Sequence, residues 1–238
     1  MRLEVPFYRQ TTDFTCGACA TLMVWRYFDR KVQLSKRNEF LIWTEIVALP
    51  FKFSSPYRIA TFFIKKEFET KLLMKQETSS VTKTLLKCCQ VDPTERNLFL
   101  DFFNAYNTIL KKRIAPAILD RKPTLSDIKR ALSTHIPAIT LVDSYYTAKA
   151  RGTKKPTHLP HWIVVTGYEN DKFHINDSAS ESGLKNRKTM VEGSILEKAM
   201  DTYPRFGWPS ALIVAGLKAR ESNDQEDRFQ KLLKTDTS

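Results

Sequence analysis

Glycine is scarce in this sequence and unevenly placed. The 238 residues include seven glycines, and none of them lies between Gly17 and Gly152. Glycine marks tight turns, bulges and strand connections, so a long stretch without it favours helices. We therefore predict a helix-rich first half, with most of the β-structure in the second half, where the other glycines occur.

Long apolar runs, a secretion signal and a cysteine framework are also missing. No apolar run approaches the ~20 residues of a membrane-spanning helix, and the first ten residues hold no apolar signal core. The cysteines form two close pairs, Cys16/Cys19 and Cys88/Cys89, which is too few for a disulfide-stabilised secreted domain. We expect a cytoplasmic protein with reduced thiols and no membrane domain, in which Cys88 and Cys89 pack in a core or an interface.

The charge is strongly positive, and its excess lies outside the C-terminal segment. The formal net charge is +12, whereas residues 218–238 hold five basic and five acidic side chains. We predict one domain over residues 1–217, followed by a polar tail or surface helix over residues 218–238. The positive charge favours an acidic substrate or partner. A nucleic-acid-binding module is the alternative from another functional class, but no recognised binding motif supports it.

Hydrophobic spacing places one helix early in the chain and several strands late. Apolar residues at helical spacing predict a helix over residues 16–27, capped by Asp13 or Thr15. A capping-box pattern at residues 124–127 predicts a second helix that ends before Pro137. Apolar, β-branched runs predict a largely antiparallel sheet from residues 138–142, 162–166, 173–176 and 211–215. The turn residues 169–171 join the second and third of these strands into a hairpin.

Cys16 is the candidate nucleophile. Its predicted place in the first turn of a helix favours the thiolate, since a helix N-terminus carries partial positive charge. Cys16 and Cys19 also form a C-x-x-C pattern, which raises the alternatives of a redox motif or half of a zinc site with His158 and His161. A redox motif would follow a strand, and the predicted order of helix before sheet does not suit it. A zinc site usually has a wider spacing between its histidines than the H-x2-H of His158 and His161. We expect Cys19 to pack and no metal or other cofactor to be bound.

His161 is the preferred base among the four histidines. It lies 145 residues after Cys16, within the roughly 130–150 residues typical of papain-type enzymes. His174 is expected to point outward because its strand parity is opposite to that of Asp177. His135 falls at a predicted helix end, where an imidazole commonly meets the last carbonyls. His158, in a proline-flanked loop, is the remaining alternative.

Asp177 and Gln10 are candidates for the two supporting roles. The predicted hairpin brings Asp177, at the end of its second strand, near His161, before its first strand. A carboxylate there could orient the imidazole and stabilise its protonated form. The Gln10 side-chain amide, with the backbone N–H of Cys16, could bind an oxyanion. Ordinary turn chemistry and an exposed polar side chain are the structural alternatives for Asp177 and Gln10.

Ordered motifs carry a resemblance to a known family. Residues 5–10 (VPFYRQ), 15–20 (TCGACA), 161–168 (HWIVVTGY) and 175–177 (IND) resemble the bacteriocin-leader-processing cysteine peptidases, numbered family thirty-nine, and especially their stand-alone relatives. The resemblance implies an α+β, papain-like fold whose helix-rich half carries Cys16 and whose antiparallel sheet carries His161 and Asp177. It also implies Gln10 as the oxyanion donor. The membrane domain and ATPase of the transporter-linked members are not expected here.

The expected function is hydrolysis of a peptide or protein amide bond through a Cys-His-Asp triad and an acyl-thioester. A thiol acyltransferase or transglutaminase-like enzyme would use the same groups and transfer the acyl group to an amine. A catalytically inactive peptide-binding relative is a further alternative. The basic residues within 149–155, just before His161, are expected either to line the cleft and attract acidic substrate groups or to form a solvated loop.

Overall fold

The computed structural model describes residues 1–48, 52–75, 92, 94–179, 188–201 and 210–218. The predicted packing of Cys88 and Cys89 lies outside these residues. So does the predicted tail or surface helix, apart from Lys218. The domain boundary at residue 217 stays a prediction.

Seven α-helices and one short 3-10 helix occur in the described residues. The helices are α1 (Cys16–Phe28), α2 (Lys36–Ile46), α3 (Pro56–Lys65), α4 (Arg96–Arg113), α5 (Leu125–Ser133), α6 (Ser144–Ala150) and α7 (Gly193–Asp201), and the 3-10 helix is Ala115–Ala117. Within the described part of the chain, no helix is both long enough and apolar enough to cross a bilayer.

Seven strands form one mixed sheet. They are β1 (Phe68–Met74), β2 (Ile118–Leu119), β3 (Ala138–Asp143), β4 (Pro160–Glu169), β5 (Lys172–Asn176), β6 (Lys188–Glu192) and β7 (Ala211–Leu217). Their order across the sheet is β2-β1-β7-β3-β4-β5-β6. The pairs are antiparallel except for β1 and β2, which are parallel. The predicted antiparallel sheet is confirmed, and β1, β2 and β6 add to it three strands that the sequence did not predict.

Local sequence signals explain the elements next to the site. The Thr124 hydroxyl accepts from the backbone N–H of Asp127, and the Asp127 carboxylate accepts from the backbone N–H of Thr124, so the predicted capping box starts α5. In the β4–β5 hairpin, Asn170 and Asp171 have positive φ values of 46° and 63°. Two such residues form the turn that matches the twist of a tight hairpin. The predicted helix, strands and hairpin are therefore confirmed.

Helix α1 lies between α2 and the sheet. All residues from Cys16 to Val24 are buried, and the helix contacts α2 on one side and β3 and β4 on another. A helix that is buried all round must be apolar all round, which explains its run of alanine, leucine, methionine and valine. The expected α+β, papain-like architecture is confirmed: a helix with cysteine in its first turn packs against an antiparallel sheet that carries histidine.

Candidate active site

The start of α1 fixes the position of Cys16. Thr15 occupies the N-cap position, but its side chain makes no capping hydrogen bond. Its hydroxyl instead donates to Glu39 Oε1 at 2.5 Å. The predicted Thr15 position is thus correct, whereas the predicted capping interaction is replaced by a bond to α2. Cys16 is buried at the first helical residue.

The hairpin brings His161 and Asp177 together. Val164 lies opposite Asn176 in the β4–β5 register, so Asp177 follows the last paired residue of β5 directly. His161 and the residue opposite Asp177 have the same strand parity, and their side chains therefore project from one face of the sheet. His161 Nε2 lies 2.7 Å from Asp177 Oδ1. Both side chains are buried.

Cys16 contacts the same imidazole. Its thiol forms a hydrogen bond with the His161 side chain, and because Nε2 already meets Asp177, Nδ1 is the ring nitrogen that remains for sulfur. Burial alone would raise the pKa of Cys16, but the hydrogen bond and charge of His161 lower it below its ordinary value. The three residues form one row from the start of α1 to the end of β5.

Opposing effects also set the pKa values of the other two groups. Burial alone would lower the pKa of His161, but the charge and hydrogen bond of Asp177, with the contact from Cys16, raise it above its ordinary value. Burial alone would raise the pKa of Asp177, but His161 and then Arg151 hold it well below its usual range. A protonated imidazole between two anions is the charge state that this arrangement favours.

Arg151 is a member of the cluster that the sequence did not single out. Its guanidinium contacts Asp177 Oδ2, and its side chain is 4% exposed. The sequence predicted basic residues near the cleft at positions 149–155, but as surface charges. The structure turns Arg151 inward, whereas Lys154 and Lys155 are exposed.

Gln10 is joined to Ser178, the residue that follows Asp177. Its backbone N–H donates to the Ser178 carbonyl at 3.0 Å, and its side-chain oxygen accepts from the Ser178 hydroxyl at 2.9 Å. Its side-chain nitrogen donates to the Thr12 carbonyl at 2.7 Å. A primary amide has two N–H groups, so one is free for a further acceptor. Gln10 is buried rather than an exposed polar side chain.

The other three histidines have surroundings of their own. His158 Nδ1 lies 2.6 Å from Asp143 Oδ2, and its ring stacks on Tyr145 with centroids 4.2 Å apart. His174 is half-buried on β5. His135 follows α5 in the left-handed region with a φ of 61°, and its carbonyl accepts from the Tyr27 hydroxyl.

Glu39, on α2, is a second residue that the sequence did not single out. Its fully buried carboxylate accepts hydrogen bonds from Tyr8, Thr11 and Thr15. It also contacts the thiol of Cys19, and burial followed by the charge of Glu39 raises the pKa of that thiol. Cys19 is therefore buried as predicted and is held in its protonated form. The two cysteines of the C-x-x-C pattern have opposite electrostatic surroundings.

Close backbone packing surrounds the nucleophile. A Cβ atom at Gly17 would lie 2.4 Å from Ser54 Oγ and 3.0 Å from Trp162 Cδ1. A side chain at position 17 would therefore force Ser54, in the segment that leads into α3, to move. Within the described residues, no group of three or more histidine, cysteine, aspartate or glutamate side chains is arranged to hold a metal ion.

The chain is similar to known proteins in sequence pattern and in fold. A family model described as "Peptidase C39 like family" matches residues 5–211. Among solved structures, a C39-like peptidase from Bacillus anthracis is 10% identical, with a TM-score of 0.49 over 91% of this chain and 96% of that chain. The peptidase domain of Streptococcus ComA, a bi-functional ABC transporter involved in a quorum-sensing pathway, is 12% identical, with a TM-score of 0.45 over 90% of this chain and 100% of that one. No curated protein sequence matches significantly.

Proposed function

Because the chain belongs to the Peptidase C39 like family, we propose that it is a cysteine peptidase that hydrolyses a peptide or protein amide bond. The observation that carries the proposal is the buried row of Cys16, His161 and Asp177. It combines a thiol of lowered pKa, an imidazole of raised pKa and a carboxylate 2.7 Å from that imidazole. These are the parts that nucleophilic thiol catalysis requires.

In the proposed reaction, the Cys16 thiolate attacks the substrate carbonyl carbon and His161 donates its proton to the leaving amine. The products of this half-reaction are an acyl-thioester on Cys16 and the free amine. His161, now neutral, takes a proton from water, which attacks the thioester and releases the acid. Asp177 holds the imidazole in place and stabilises its protonated form through both halves.

Gln10 is proposed as the oxyanion donor together with the backbone N–H of Cys16. Three contacts support this role: Gln10 is buried, the Ser178 hydroxyl holds its carbonyl oxygen, and the Thr12 carbonyl uses only one of its two amide protons. The amide is therefore oriented before substrate arrives, which is the condition under which such donors are effective. Its loss is expected to lower kcat by about 10²–10³-fold.

The substrate is proposed to carry acidic groups near the scissile bond. Lys154 and Lys155 are exposed in the loop that leads into β4, a few residues before His161. The formal net charge of +12 acts in the same direction. Positive charge around a cleft increases the association rate of acidic ligands and does so less at high salt.

Peptide hydrolysis by purified variants tests the proposal. Cleavage of a peptide library is followed by mass spectrometry for the wild-type chain, Cys16→Ala and Cys19→Ala. We expect Cys16→Ala to abolish cleavage and Cys19→Ala to keep kcat/KM within about threefold, since Cys19 is buried and protonated. Turnover by folded Cys16→Ala would overturn the assignment.

Two further outcomes would replace peptidase activity with another function. If the acyl fragment is recovered as an amide of an added amine and not as the free acid, the protein is an acyltransferase. A folded wild-type chain that cleaves no peptide, and whose Cys16 an active-site-directed thiol probe does not label, would make it an inactive peptide-binding relative.

A further inference from the structure

Arg151 lies directly behind the catalytic row. It is the residue that follows α6, and its guanidinium contacts the Oδ2 atom of Asp177. The Oδ1 atom of the same carboxylate meets His161 Nε2 at 2.7 Å and accepts from the Ala179 N–H at 3.0 Å. The two oxygens of Asp177 thus have separate partners, and the arginine occupies the one that faces away from the imidazole.

Both ends of α6 are fixed, which holds the arginine in place. At the N-terminus, Asp143 Oδ1 accepts from the Tyr145 N–H at 3.0 Å and Asp143 Oδ2 meets His158. At the C-terminus, the Arg151 N–H donates to the Thr147 carbonyl at 3.2 Å. Asp143 also pairs with Pro160 at the start of β4, next to His161. The segment between β3 and β4 is therefore tied to the strand that carries the histidine.

The charges of the four buried groups sum to zero. Asp177 and Arg151 cancel, and Cys16 and His161 are either both neutral or both charged, so a proton can pass between them without changing the total. Without the arginine, either state would leave one uncompensated negative charge in a buried site. An unpaired buried charge is costly.

We propose that Arg151 is a positioning residue of this site: it holds Asp177 by its outer oxygen and offsets its charge, so that the Cys16–His161 ion pair forms in a neutral cluster. The proposal rests on the proposed function for its biological meaning. Its physical content, the coupling of Arg151 to the Cys16–His161 pair, can be tested without any peptide substrate.

Within the described part of the chain, the following titratable groups surround the Cys16–His161 pair. Asp177 and Cys16 act on His161, and His161 and Arg151 act on Asp177. Behind Cys16, the groups on α1 and α2 are Cys19 and Glu39. On β3 and in the loop before β4, Asp143 and His158 face each other.

Removing the positive charge of Arg151 should therefore favour the protonated forms of both members of the Cys16–His161 pair. Two unit charges roughly 8–10 Å apart at an effective dielectric constant of about 20 change a pKa by about one unit. At its basic end, where His161 loses its proton, the pH range of the ion pair is expected to extend by about one pH unit. The movement at the acidic end is expected to be smaller, because Cys16 is the member farther from the arginine.

Alkylation of Cys16 at a series of pH values tests the proposal. Neutral iodoacetamide reports thiolate formation, and the ratio of the iodoacetate rate to the iodoacetamide rate falls when His161 loses its proton. The variants are Arg151→Gln and Arg151→Met, which remove the charge, and Arg151→Lys, which keeps it. Lys149→Met is the matched control, because it removes an exposed charge on the same helix. Circular dichroism selects the folded variants.

We expect Arg151→Gln and Arg151→Met to shift both transitions upward, and Arg151→Lys and Lys149→Met to stay within about 0.3 unit of the wild type. If neither uncharged variant folds, the same titration is run on Arg151→Lys at 0.05 and 1 M salt. A lysine that compensates Asp177 inside a buried site predicts that the pH values of both transitions are the same at the two salt concentrations. Transitions in Arg151→Gln equal to those of Lys149→Met, or salt-dependent transitions in Arg151→Lys, would overturn the proposal. A shifted alkylation profile without peptide cleavage would keep the proposal and refute only the peptidase assignment.

Discussion

Replacement of Glu39 by alanine is expected to destabilise the protein strongly. Glu39 lies in the first turn of α2, where acidic residues are common, but its carboxylate is buried and accepts four hydrogen bonds. Its Oε1 atom accepts from the Thr11 N–H at 2.9 Å and from the Thr15 hydroxyl at 2.5 Å. Its Oε2 atom accepts from the Tyr8 hydroxyl at 3.0 Å and from the Thr11 hydroxyl at 2.9 Å. These bonds join α2 to the segment that runs from Tyr8 to Thr15.

The size of the loss follows from the burial of the donors. Thr15 is fully buried, and without Glu39 its hydroxyl keeps the Thr12 hydroxyl, 2.9 Å away, as a partner. The loss of its charged acceptor therefore costs about 1–2 kcal/mol, and the three donors on Tyr8 and Thr11, which can recruit water, add about 0.5–1 kcal/mol each. Glu39→Ala is therefore expected to cost about 2.5–5 kcal/mol. For a domain of this size, that is a fall in Tm of roughly 5–20 °C.

Two further variants separate the hydrogen bonds of Glu39 from its negative charge and from the general effect of removing a glutamate from α2. Glu39→Gln keeps a carbonyl oxygen for the Thr11 N–H and the Thr15 hydroxyl, and its amide can donate to the two hydroxyls that face Oε2. It should cost about 1–2 kcal/mol, the loss of charge assistance. Glu45→Ala, at an exposed site on the same helix, should change stability by less than about 0.5 kcal/mol. Thermal unfolding is followed by circular dichroism. If the Tm values of Glu39→Ala and Glu45→Ala agree within about 2 °C, the reasoning is refuted.

Four other predictions concern the site itself. Iodoacetamide at pH 7 should label Cys16 at least about a hundredfold faster than Cys19, because their pKa values are shifted in opposite directions; equal rates in a peptide map would contradict this. Asp177→Asn should lower kcat by about 10²–10⁴-fold while the chain stays folded, and turnover within tenfold of the wild type would exclude the assigned role. The pKa of Asp177 is held below its ordinary value, so its stabilising contribution is present above about pH 4 and lost as pH falls further; the Tm difference between wild type and Asp177→Asn should shrink in acid, and a constant difference would be inconsistent with it. Gly17→Ala should lower the free energy of unfolding by about 1–3 kcal/mol through contact with Ser54, and Ser54→Gly should restore part of this loss. A Tm of Gly17→Ala equal to that of the wild type would refute the clash.

Local sequence patterns were sufficient for the elements that carry Cys16, His161 and Asp177. The apolar spacing after Cys16, the capping box at Thr124 and the turn at Asn170 each specify structure within a few residues, and each is confirmed. The contact between His161 and Asp177 also follows from local information, because a hairpin register fixes it.

Arg151 and Glu39 could not be identified in the same way, since their partners are distant in the chain. Arg151 contacts Asp177, which is 26 residues away in the chain. The neighbouring Lys149, Lys154 and Lys155 predict a solvent-exposed loop for the whole segment. The sequence does contain a signal for the burial of Glu39. It lies at helical spacing from the buried Ile42 and Ile46, and a charged residue on an apolar stripe predicts a buried polar network.

The long separation between the two halves of the site has a consequence during protein synthesis. Cys16 and Asp177 are 161 positions apart, and a ribosome needs roughly 8–30 s to add that many residues. During this interval the thiol has no imidazole or carboxylate beside it, so the growing chain carries an ordinary cysteine. Any chain released before Asp177 is made would be inert. The order of residues along the chain thus delays the proposed activity until both halves of the site have been made.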